Sequence, residues 1–158
     1  MATMFHQAVS AGPSYWGPGD IYTFLVTGEQ CDGAYFSMLA IVPPGGGPPP
    51  HTHAFEDETF YVLDGIPSFF LEDHWIQAGP GDFVNIPRGR LHCFHNHSDQ
   101  LMTMILTFTP AGIENFFEET LERAYDLNAP VPDNVDEVGA RYAEAAPRYG
   151  MEFFLNAG

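Results

Sequence analysis

The chain has 158 residues, of which 45% are hydrophobic, and 21 acidic against 5 basic side chains give it a formal net charge of −16. A field this negative, with no basic stripe to offset it, repels phosphate backbones and anionic lipid headgroups, so nucleic acid and membrane surfaces are excluded as partners. All five bases are arginine, and the absence of lysine excludes Schiff-base chemistry. The length and composition predict one globular domain over residues 1–158.

The cysteines and the N-terminal segment indicate a compartment. Cys31 and Cys93 have neither metal-ligand spacing nor the framework of a disulfide-rich domain, so we expect free thiols in a reducing environment. Residues 1–16 contain no cationic region followed by an apolar run, and no stretch approaches the roughly 18 apolar residues of a membrane span. We therefore expect a cytoplasmic protein, and we read its acidity as a solvated surface or an adaptation to salt.

Seven short alternating or apolar runs, separated by turns rich in Gly, Pro, Asn and Asp, come first along the chain. They occupy residues 21–27, 34–42, 58–64, 67–73, 82–87, 91–96 and 101–109. No helical pattern interrupts them. This order predicts an all-β antiparallel sandwich or barrel over about residues 21–110.

The pattern changes after Pro110. Apolar residues then follow helical spacing in two segments: Ile113, Phe116, Phe117 and Leu121 in the first, and Val135, Val138 and Tyr142 in the second. The tail YGMEFFLNAG is apolar enough to dock on the rest of the molecule. We read residues 111–158 as a helical extension that covers part of the barrel and has no core of its own.

The segment PPPHTHAFEDETFYVLDG places two histidines ahead of three consecutive carboxylates. In an extended segment side chains alternate between faces, so His51 and His53 share one face and can reach one ion. Such a pair taken alone is more often two surface histidines. The strand that follows, however, has Glu58 in the same phase as Phe60 and Val62.

A second segment, GDFVNIPRGRLHCFHN, supplies His92 on another strand, with Phe94 in the same phase. Together the two segments bring three imidazoles and one carboxylate into reach of one another. The other four histidines are expected on the exterior or in loops: His6, His74, His95 and His97.

Both segments carry a spaced motif. Their fixed positions are Gly45, His51, His53, Glu58 and Gly65 in the first, and Gly81, Pro87, Gly89, His92 and Asn96 in the second. The first resembles the first cupin motif and the second resembles the second cupin motif, with the spacing kept at every position. Two matches in order, about fifteen residues apart, make chance agreement improbable.

This resemblance implies a cupin jelly-roll barrel in which His51, His53, Glu58 and His92 bind one divalent transition metal. Such a donor set suits Ni, Co, Mn, Fe, Cu or Zn, and ligand type alone does not select among them. Of the three acids only Glu58 stands at the interval of the motif. We expect Glu56 and Asp57 to be solvated turn carboxylates, and Glu56→Gln to have little effect.

Four further stretches resemble the small bacterial one-domain cupins described as quercetin 2,3-dioxygenase-like: residues 12–30, 40–53, 110–119 and 148–154. This resemblance implies cleavage of the heterocycle of a flavonol such as quercetin by O₂, with release of carbon monoxide. It also implies that Glu58 takes the proton of the 3-hydroxyl. A carboxylate with that task needs a pKa raised toward the working pH, and we expect an apolar wall to raise it.

For the substrate pocket, the strand phases suggest Phe60, Val62, Phe94 and Met104, each of which can equally be simple core packing. A neutral, flat, aromatic ligand fits such a cavity better than an anion. The cations nearest the second motif are Arg88 and Arg90, and each can instead be a surface turn residue.

Two other classes of function stay open, because the cupin fold hosts many reactions. One is a different metal-dependent enzyme, such as a dioxygenase of another phenolic compound or a small-molecule isomerase. The other is a non-enzymatic cupin that binds a ligand or holds its metal structurally. We also expect a homodimer, since pairing protects unpaired sheet edges.

Overall fold

The computed structural model describes residues 1–155, and the last three residues of the predicted extension lie outside the described residues. The described strands are β1 (Ser14–Trp16), β2 (Ile21–Val26), β3 (Phe36–Val42), β4 (His51–His53), β5 (Asp57–Asp64), β6 (Ser68–Leu71), β7 (His74–Gln77), β8 (Phe83–Ile86), β9 (His92–His95), β10 (Met102–Thr109), β11 (Glu122–Arg123) and β12 (Met151–Phe153). Residues 1–155 form two α-helices, α1 (Glu114–Thr120) and α2 (Val135–Ala145). The prediction of an all-β fold with C-terminal helices is confirmed.

The strands form two antiparallel sheets that enclose the barrel interior. The larger sheet has the order β11-β1-β2-β3-β10-β5-β8, and the smaller has the order β12-β4-β9-β6-β7. All seven predicted runs contain a strand. Four of the described short strands were not predicted, namely β1, β7, β11 and β12. Strand β7 begins at the exposed His74, which the sequence had suggested as part of a turn.

Strict alternation along β10 builds the centre of the larger sheet. Met102, Met104, Leu106 and Phe108 are buried, while the residues between them are only partly buried. The strand pairs with β3 on one side and β5 on the other, so that Phe108 lies opposite Glu58 and Met104 lies opposite Val62. The farther a residue of β10 lies from Phe108, the farther it lies along the barrel from Glu58.

The C-terminal extension is not purely helical, which corrects the prediction. After α2 the chain passes through a 3₁₀ turn at Ala146–Tyr149 and adds β12 to the edge of the smaller sheet. There Phe153 pairs with His51, and Met151 pairs with His53. The tail thus docks directly on the histidine-bearing strand, because an edge strand satisfies its free backbone groups by pairing.

Two further observations concern the cysteines and membrane-spanning helices. Cys31 and Cys93 are free cysteines, with Cys93 buried. Among residues 1–155, no helix has both the length and the apolar character needed to cross a membrane.

Candidate metal centre

Four side chains predicted as ligands converge inside the barrel from three strands. His51 and His53 project from β4, His92 projects from β9 directly opposite His51, and Glu58 reaches across from β5 in the other sheet. All four are buried, and one ligand atom from each lies within 4.8 Å of the others. The extended HTH segment achieves this because its alternation turns both histidines inward.

Backbone carbonyls orient two of the imidazoles. Nδ1 of His51 lies 2.9 Å from the carbonyl oxygen of Pro49, and Nδ1 of His92 lies 2.9 Å from that of Arg90. Since a carbonyl only accepts hydrogen bonds, Nδ1 carries the proton in both rings. Nε2 of each ring is therefore directed to the cluster, as metal-binding histidines require.

The third imidazole has a carboxylate beside it. Oε2 of Glu56 lies 3.8 Å from Nδ1 of His53, and neither atom has a hydrogen-bond partner among the described residues. Glu56 is 4% exposed, so the prediction of a solvated turn carboxylate is wrong for this residue. Asp57 opens β5 instead of lying in a turn and pairs with Arg88 at the surface. The alternation that sends Glu58 inward also draws Glu56 inward, two residues earlier.

Glu58 is held by two imidazoles. Its Oε2 lies 2.8 Å from Nε2 of His92 and 3.3 Å from Nε2 of His53. Burial opposes ionisation, but the hydrogen bonds and positive charge of the two imidazoles outweigh it and hold the pKa of Glu58 well below its ordinary value. The expected rise of this pKa is therefore wrong for the described state, because imidazoles and not apolar side chains contact the carboxylate.

The imidazoles differ in their protonation. Burial, together with the neighbouring His92 and His53, lowers the pKa of His51 to about 3, so this ring is neutral. Burial also disfavours a charged His92, yet its hydrogen bond to Glu58 outweighs burial and raises the pKa of His92. A metal ion can take the place of that proton, since it offers Glu58 and the rings the same positive charge.

The donor set fits a divalent transition metal. Donor atoms around one ion at about 2.1 Å lie at most about 4.2 Å apart, so small side-chain shifts suffice to bring the four atoms onto one ion. Three imidazole nitrogens and one carboxylate oxygen leave room for further ligands in five- or six-coordinate geometry. The residues therefore fit such an ion, and they do not distinguish one metal from another.

A cavity of about 40 Å³ adjoins this cluster. Apart from three of the predicted ligands, its lining is apolar and aromatic, with Phe94, Leu106 and Phe108 from the barrel. Phe60, Val62 and Met104 lie deeper in the barrel core and are absent from the lining. Of the four predicted pocket residues, Phe94 alone lines the cavity.

Residues outside the two motifs complete the wall. The sequence had not suggested them as site residues: Tyr22, Met38 and Pro48 from the barrel side, and Phe116, Phe117, Tyr142, Met151 and Phe153 from the extension. The ring of Phe153 lies 5.7 Å from that of His51 and stacks on Tyr142 at 6.3 Å. For the five residues from the extension, the signal in the sequence was the apolar face of the predicted helices and tail.

A larger groove lies beyond this wall. It has a volume of about 590 Å³ and runs between α2, β12 and the segment Pro48–Pro49. Pro48, Tyr142, Met151 and Phe153 line both the groove and the inner cavity. These four side chains therefore separate the groove from the candidate metal centre.

The two arginines near the second motif point elsewhere. Arg88 pairs with Asp57 at 3.1 Å and Arg90 pairs with Glu72 at 2.6 Å, all four residues being exposed or nearly so. Both are surface residues, which was the alternative left open by the sequence. None of the described residues that line the cavity is a cation.

The fold and the site together define a class of protein, a double-sheet jelly-roll barrel with a candidate metal centre inside it. The cupin domain model matches residues 38–108, which contain both motifs, and this match together with the fold supports membership of the cupin superfamily. Its sequence is 27% identical over 106 residues to quercetin 2,3-dioxygenase of Bacillus subtilis, covering 67% of this chain. The match spans only 31% of that longer protein.

Solved structures support the fold. The chain is similar to KdgF from Halomonas sp., with a TM-score of 0.62 and 18% identity over 72% of this chain and 99% of that one. It is also similar to the nucleoside dehydratase Pac13, with a TM-score of 0.57 and 24% identity over 72% of this chain and 88% of that one. At these identities the likeness concerns the fold alone.

Proposed function

We propose that this cupin is a metal-dependent dioxygenase that cleaves the heterocycle of a flavonol such as quercetin. The observation that carries the proposal is the position of Glu58, the single carboxylate among the described residues that line an otherwise apolar cavity, beside the three histidines. The relatedness to a quercetin 2,3-dioxygenase supports the choice of substrate.

The charge of the cavity favours a neutral substrate. An anion such as a sugar phosphate needs a cation to offset its charge on burial, and the described lining offers none. Phe94, Phe108 and Phe117 instead present aromatic rings to a flat ligand. A flavonol supplies flat aromatic rings and an ionisable 3-hydroxyl in one molecule.

Each group has a defined task in this proposal. Glu58 accepts the proton of the 3-hydroxyl, a task for which its pKa must rise from the low value that the imidazoles impose in the described state. The aromatic wall orients the heterocycle and excludes water. His51, His53, Glu58 and His92 would hold a divalent ion, which would supply Lewis acidity and a redox partner for O₂. Two ring bonds break, one ring carbon leaves as carbon monoxide, and both oxygen atoms of O₂ remain in the phenolic ester product.

The size of the cavity sets a condition on binding. Drug-sized ligands occupy pockets of about 300–1,000 Å³, far more than the 40 Å³ beside Glu58. The outer groove of 590 Å³ is large enough and adjoins the cavity. A flavonol therefore requires displacement of the side chains between the two, chiefly Phe153.

Carbon monoxide release tests the proposal. Metal-free protein is reconstituted separately with Ni, Co, Mn, Fe and Cu and given quercetin in air, with the metal-free protein as control. Release with any one ion supports the proposal and identifies a working metal. If all five ions bind but no carbon monoxide forms, flavonol cleavage is excluded.

The small cavity favours one second candidate, a dioxygenase of a smaller phenolic compound. Such a substrate fits beside Glu58 with less displacement of Phe153. A screen of single-ring phenols in air and under nitrogen separates this candidate from an isomerase, since only a dioxygenase consumes O₂. A non-enzymatic cupin turns over nothing in either atmosphere.

We also propose that the protein acts in the cytoplasm as a homodimer. Light scattering coupled to size exclusion tests the dimer, and a monomer over the micromolar range excludes it.

A further inference from the structure

A buried carboxylate that the proposed reaction does not use lies behind Tyr22, one of the residues that line the cavity. Asp20 precedes β2 and is 1% exposed, and its Oδ2 accepts a hydrogen bond of 2.8 Å from the hydroxyl of Tyr22. Its Oδ1 has no partner among the described residues. Burial raises the pKa of Asp20 to about 7, and the hydrogen bond from Tyr22 only partly opposes this rise.

Packing alone does not account for this pair. The ring of Tyr22 packs against Phe117 at 5.7 Å, and a phenylalanine would make the same contact without a buried acid. The glycine-rich loop also closes over the acid, because a Cβ at Gly46 would lie 2.8 Å from Oδ1 of Asp20. The carboxylate is thus shielded from solvent, while the Tyr22 side chain lines the cavity.

A second tyrosine reaches the same cavity from the extension. Tyr142 on α2 is buried, lines both the cavity and the outer groove, and has a hydroxyl without a hydrogen-bond partner among the described residues. Buried polar atoms nearly always find a partner in the functional state of a protein. Tyr22 and Tyr142 are therefore two hydroxyl-bearing side chains that line the same cavity, one contributed by β2 and the other by α2.

We propose that Tyr22 and Tyr142 bind a second hydroxyl group of the substrate, with Asp20 as the positioning residue for Tyr22. This inference rests on the proposed flavonol dioxygenase function and specifies its substrate as a polyhydroxylated flavonol. Tyr22 lies on β2, three strands from the β5 strand that carries Glu58, so the two polar ends are separated across the sheet.

The hydrogen-bonding capacity of the tyrosines selects the group. The Tyr22 proton is committed to Asp20, so its oxygen is left as an acceptor, whereas the Tyr142 hydroxyl is free to donate. A group that both donates and accepts, such as a phenolic hydroxyl, satisfies the two together. An anionic group is disfavoured because Asp20 and Glu58 are acidic.

Two flavonols separate this role from general packing. Quercetin has hydroxyls on both outer rings, whereas 3-hydroxyflavone keeps only the hydroxyl assigned to Glu58. Binding of each to the nickel-loaded protein is measured under nitrogen by fluorescence quenching. We expect Tyr22→Phe to weaken the binding of quercetin about 5- to 10-fold, which corresponds to the net contribution of one hydrogen bond. The affinity for 3-hydroxyflavone should change less than about 2-fold.

Three other variants complete the test. Tyr142→Phe is expected to lower the quercetin to 3-hydroxyflavone affinity ratio by a similar factor, and Asp20→Ala is expected to lower this ratio by freeing Tyr22. Tyr61→Phe, on the exposed outer face of β5, is the control and leaves the ratio unchanged. Nickel content confirms that each variant is folded. If Tyr22→Phe loses its nickel, the affinity ratio of Tyr142→Phe alone tests the inference.

The outcomes distinguish this inference from the proposed function. Suppose that wild-type protein releases carbon monoxide from quercetin, but the quercetin to 3-hydroxyflavone affinity ratio of Tyr22→Phe and Tyr142→Phe equals that of the wild type. This inference alone is then excluded. If neither flavonol binds the wild-type protein, both fail. A ratio that falls in both variants and holds in Tyr61→Phe supports the assignment.

Discussion

His92 and Glu58 join the two sheets at the centre of the candidate site: Nε2 of the histidine lies 2.8 Å from Oε2 of the glutamate, and the two side chains are only 2% and 3% exposed. One residue comes from β9 in the smaller sheet and the other from β5 in the larger. A buried pair of this kind is costly unless its charges are matched. This contact therefore links the two sheets at the site, and substitution of either residue leaves the other without its partner.

Glu58→Gln separates metal binding from chemistry. The amide keeps one oxygen donor but cannot accept a proton, so we expect metal affinity within about 10-fold of wild type and turnover lower by about 100-fold or more. Metal content and carbon monoxide release are measured on the same sample. Glu72→Gln, which alters an exposed pair with Arg90, is the control. Equal loss in both variants means that the acids act only through net charge.

Glu56 now has a different expected role from the one its sequence position suggested. Its carboxylate lies 3.8 Å from Nδ1 of His53, where it can orient that ring directly after a small shift or through one water molecule. We expect Glu56→Gln to lower metal affinity about 10-fold, within the range for groups that orient metal ligands. Competition with a coloured chelator measures the affinity.

Asp57→Asn is the matched control for Glu56, because it changes the adjacent acid at the surface. Its loss of the Arg88 pair should leave metal affinity unchanged. If Glu56→Gln binds metal as tightly as Asp57→Asn, Glu56 has no part in orienting His53.

The sequence was informative where a short-range pattern carries the information. Alternation in β5 and β9 predicted the inward face, and the spacing of the two motifs predicted the four residues that converge. Alternation does not give depth, however. Phe60, Val62 and Met104 face inward as expected, yet Met104 lies four residues along β10 from Phe108, about 13 Å at the rise of a strand.

The outer wall of the site depends on long-range packing. Tyr142 and Phe153 reach the cavity only because α2 folds back and β12 pairs with β4. β12 has three residues, too few for a reliable period-2 signal. Its partner strand lies almost a hundred residues earlier in the chain. Burial of Glu56, in contrast, follows the alternation that turns Glu58 inward, so the sequence did carry a signal for it.

Asp20 gives the metal-free protein a specific pH dependence. The pKa of Asp20 is about 7 in the folded protein, whereas its ordinary value, which applies to the unfolded chain, is 3.8. As pH rises, the unfolded chain therefore loses this proton before the folded protein does. Folding therefore loses stability from about pH 4 to pH 7, and the full penalty, about 4 kcal/mol, applies above pH 7. We expect Asp20→Asn to raise the free energy of unfolding in urea at pH 8 and not at pH 3.5.

Asp57→Asn again provides the control, with the opposite sign. Hydrogen bonds from Arg88 lower the pKa of Asp57, so its contribution to stability is present at pH 8 and is lost as pH falls through the folded pKa. This exposed variant should therefore be no more stable than wild type at pH 8. An Asp20→Asn variant that behaves the same way shows that Asp20 carries no burial penalty.

Phe153 is expected to control access to the site. Its ring lies against His51 and Tyr142, between the inner cavity and the outer groove. Phe153→Ala should raise the affinity for quercetin several-fold, because less displacement is needed to admit the ligand. It should cost less stability than the about 3–5 kcal/mol of a fully buried phenylalanine, since the ring is half-buried.

Phe83→Ala removes an exposed ring from the outer face of β8 and is the matched control for access. Quercetin binding under nitrogen is compared in the two variants. Weaker binding in Phe153→Ala than in Phe83→Ala would instead make Phe153 part of the binding surface.

The glycine-rich loop that leads into the histidines provides the last prediction. A Cβ at Gly47 would lie 2.2 Å from the backbone oxygen of Phe94, and the φ of Gly47 is +135°. Alanine there must push the loop away from β9, and the displacement passes through three prolines to His51.

Gly45 provides the control. It also has positive φ, at +79°, but a Cβ there meets nothing within 4 Å. Alanine at Gly45 should therefore cost only the local backbone strain, about 1 kcal/mol. We expect Gly47→Ala to lower both the free energy of unfolding and the metal affinity, and Gly45→Ala to lower stability slightly at unchanged metal affinity. Equal metal affinity in the two variants would mean that contact of the loop with β9 does not position the histidine pair.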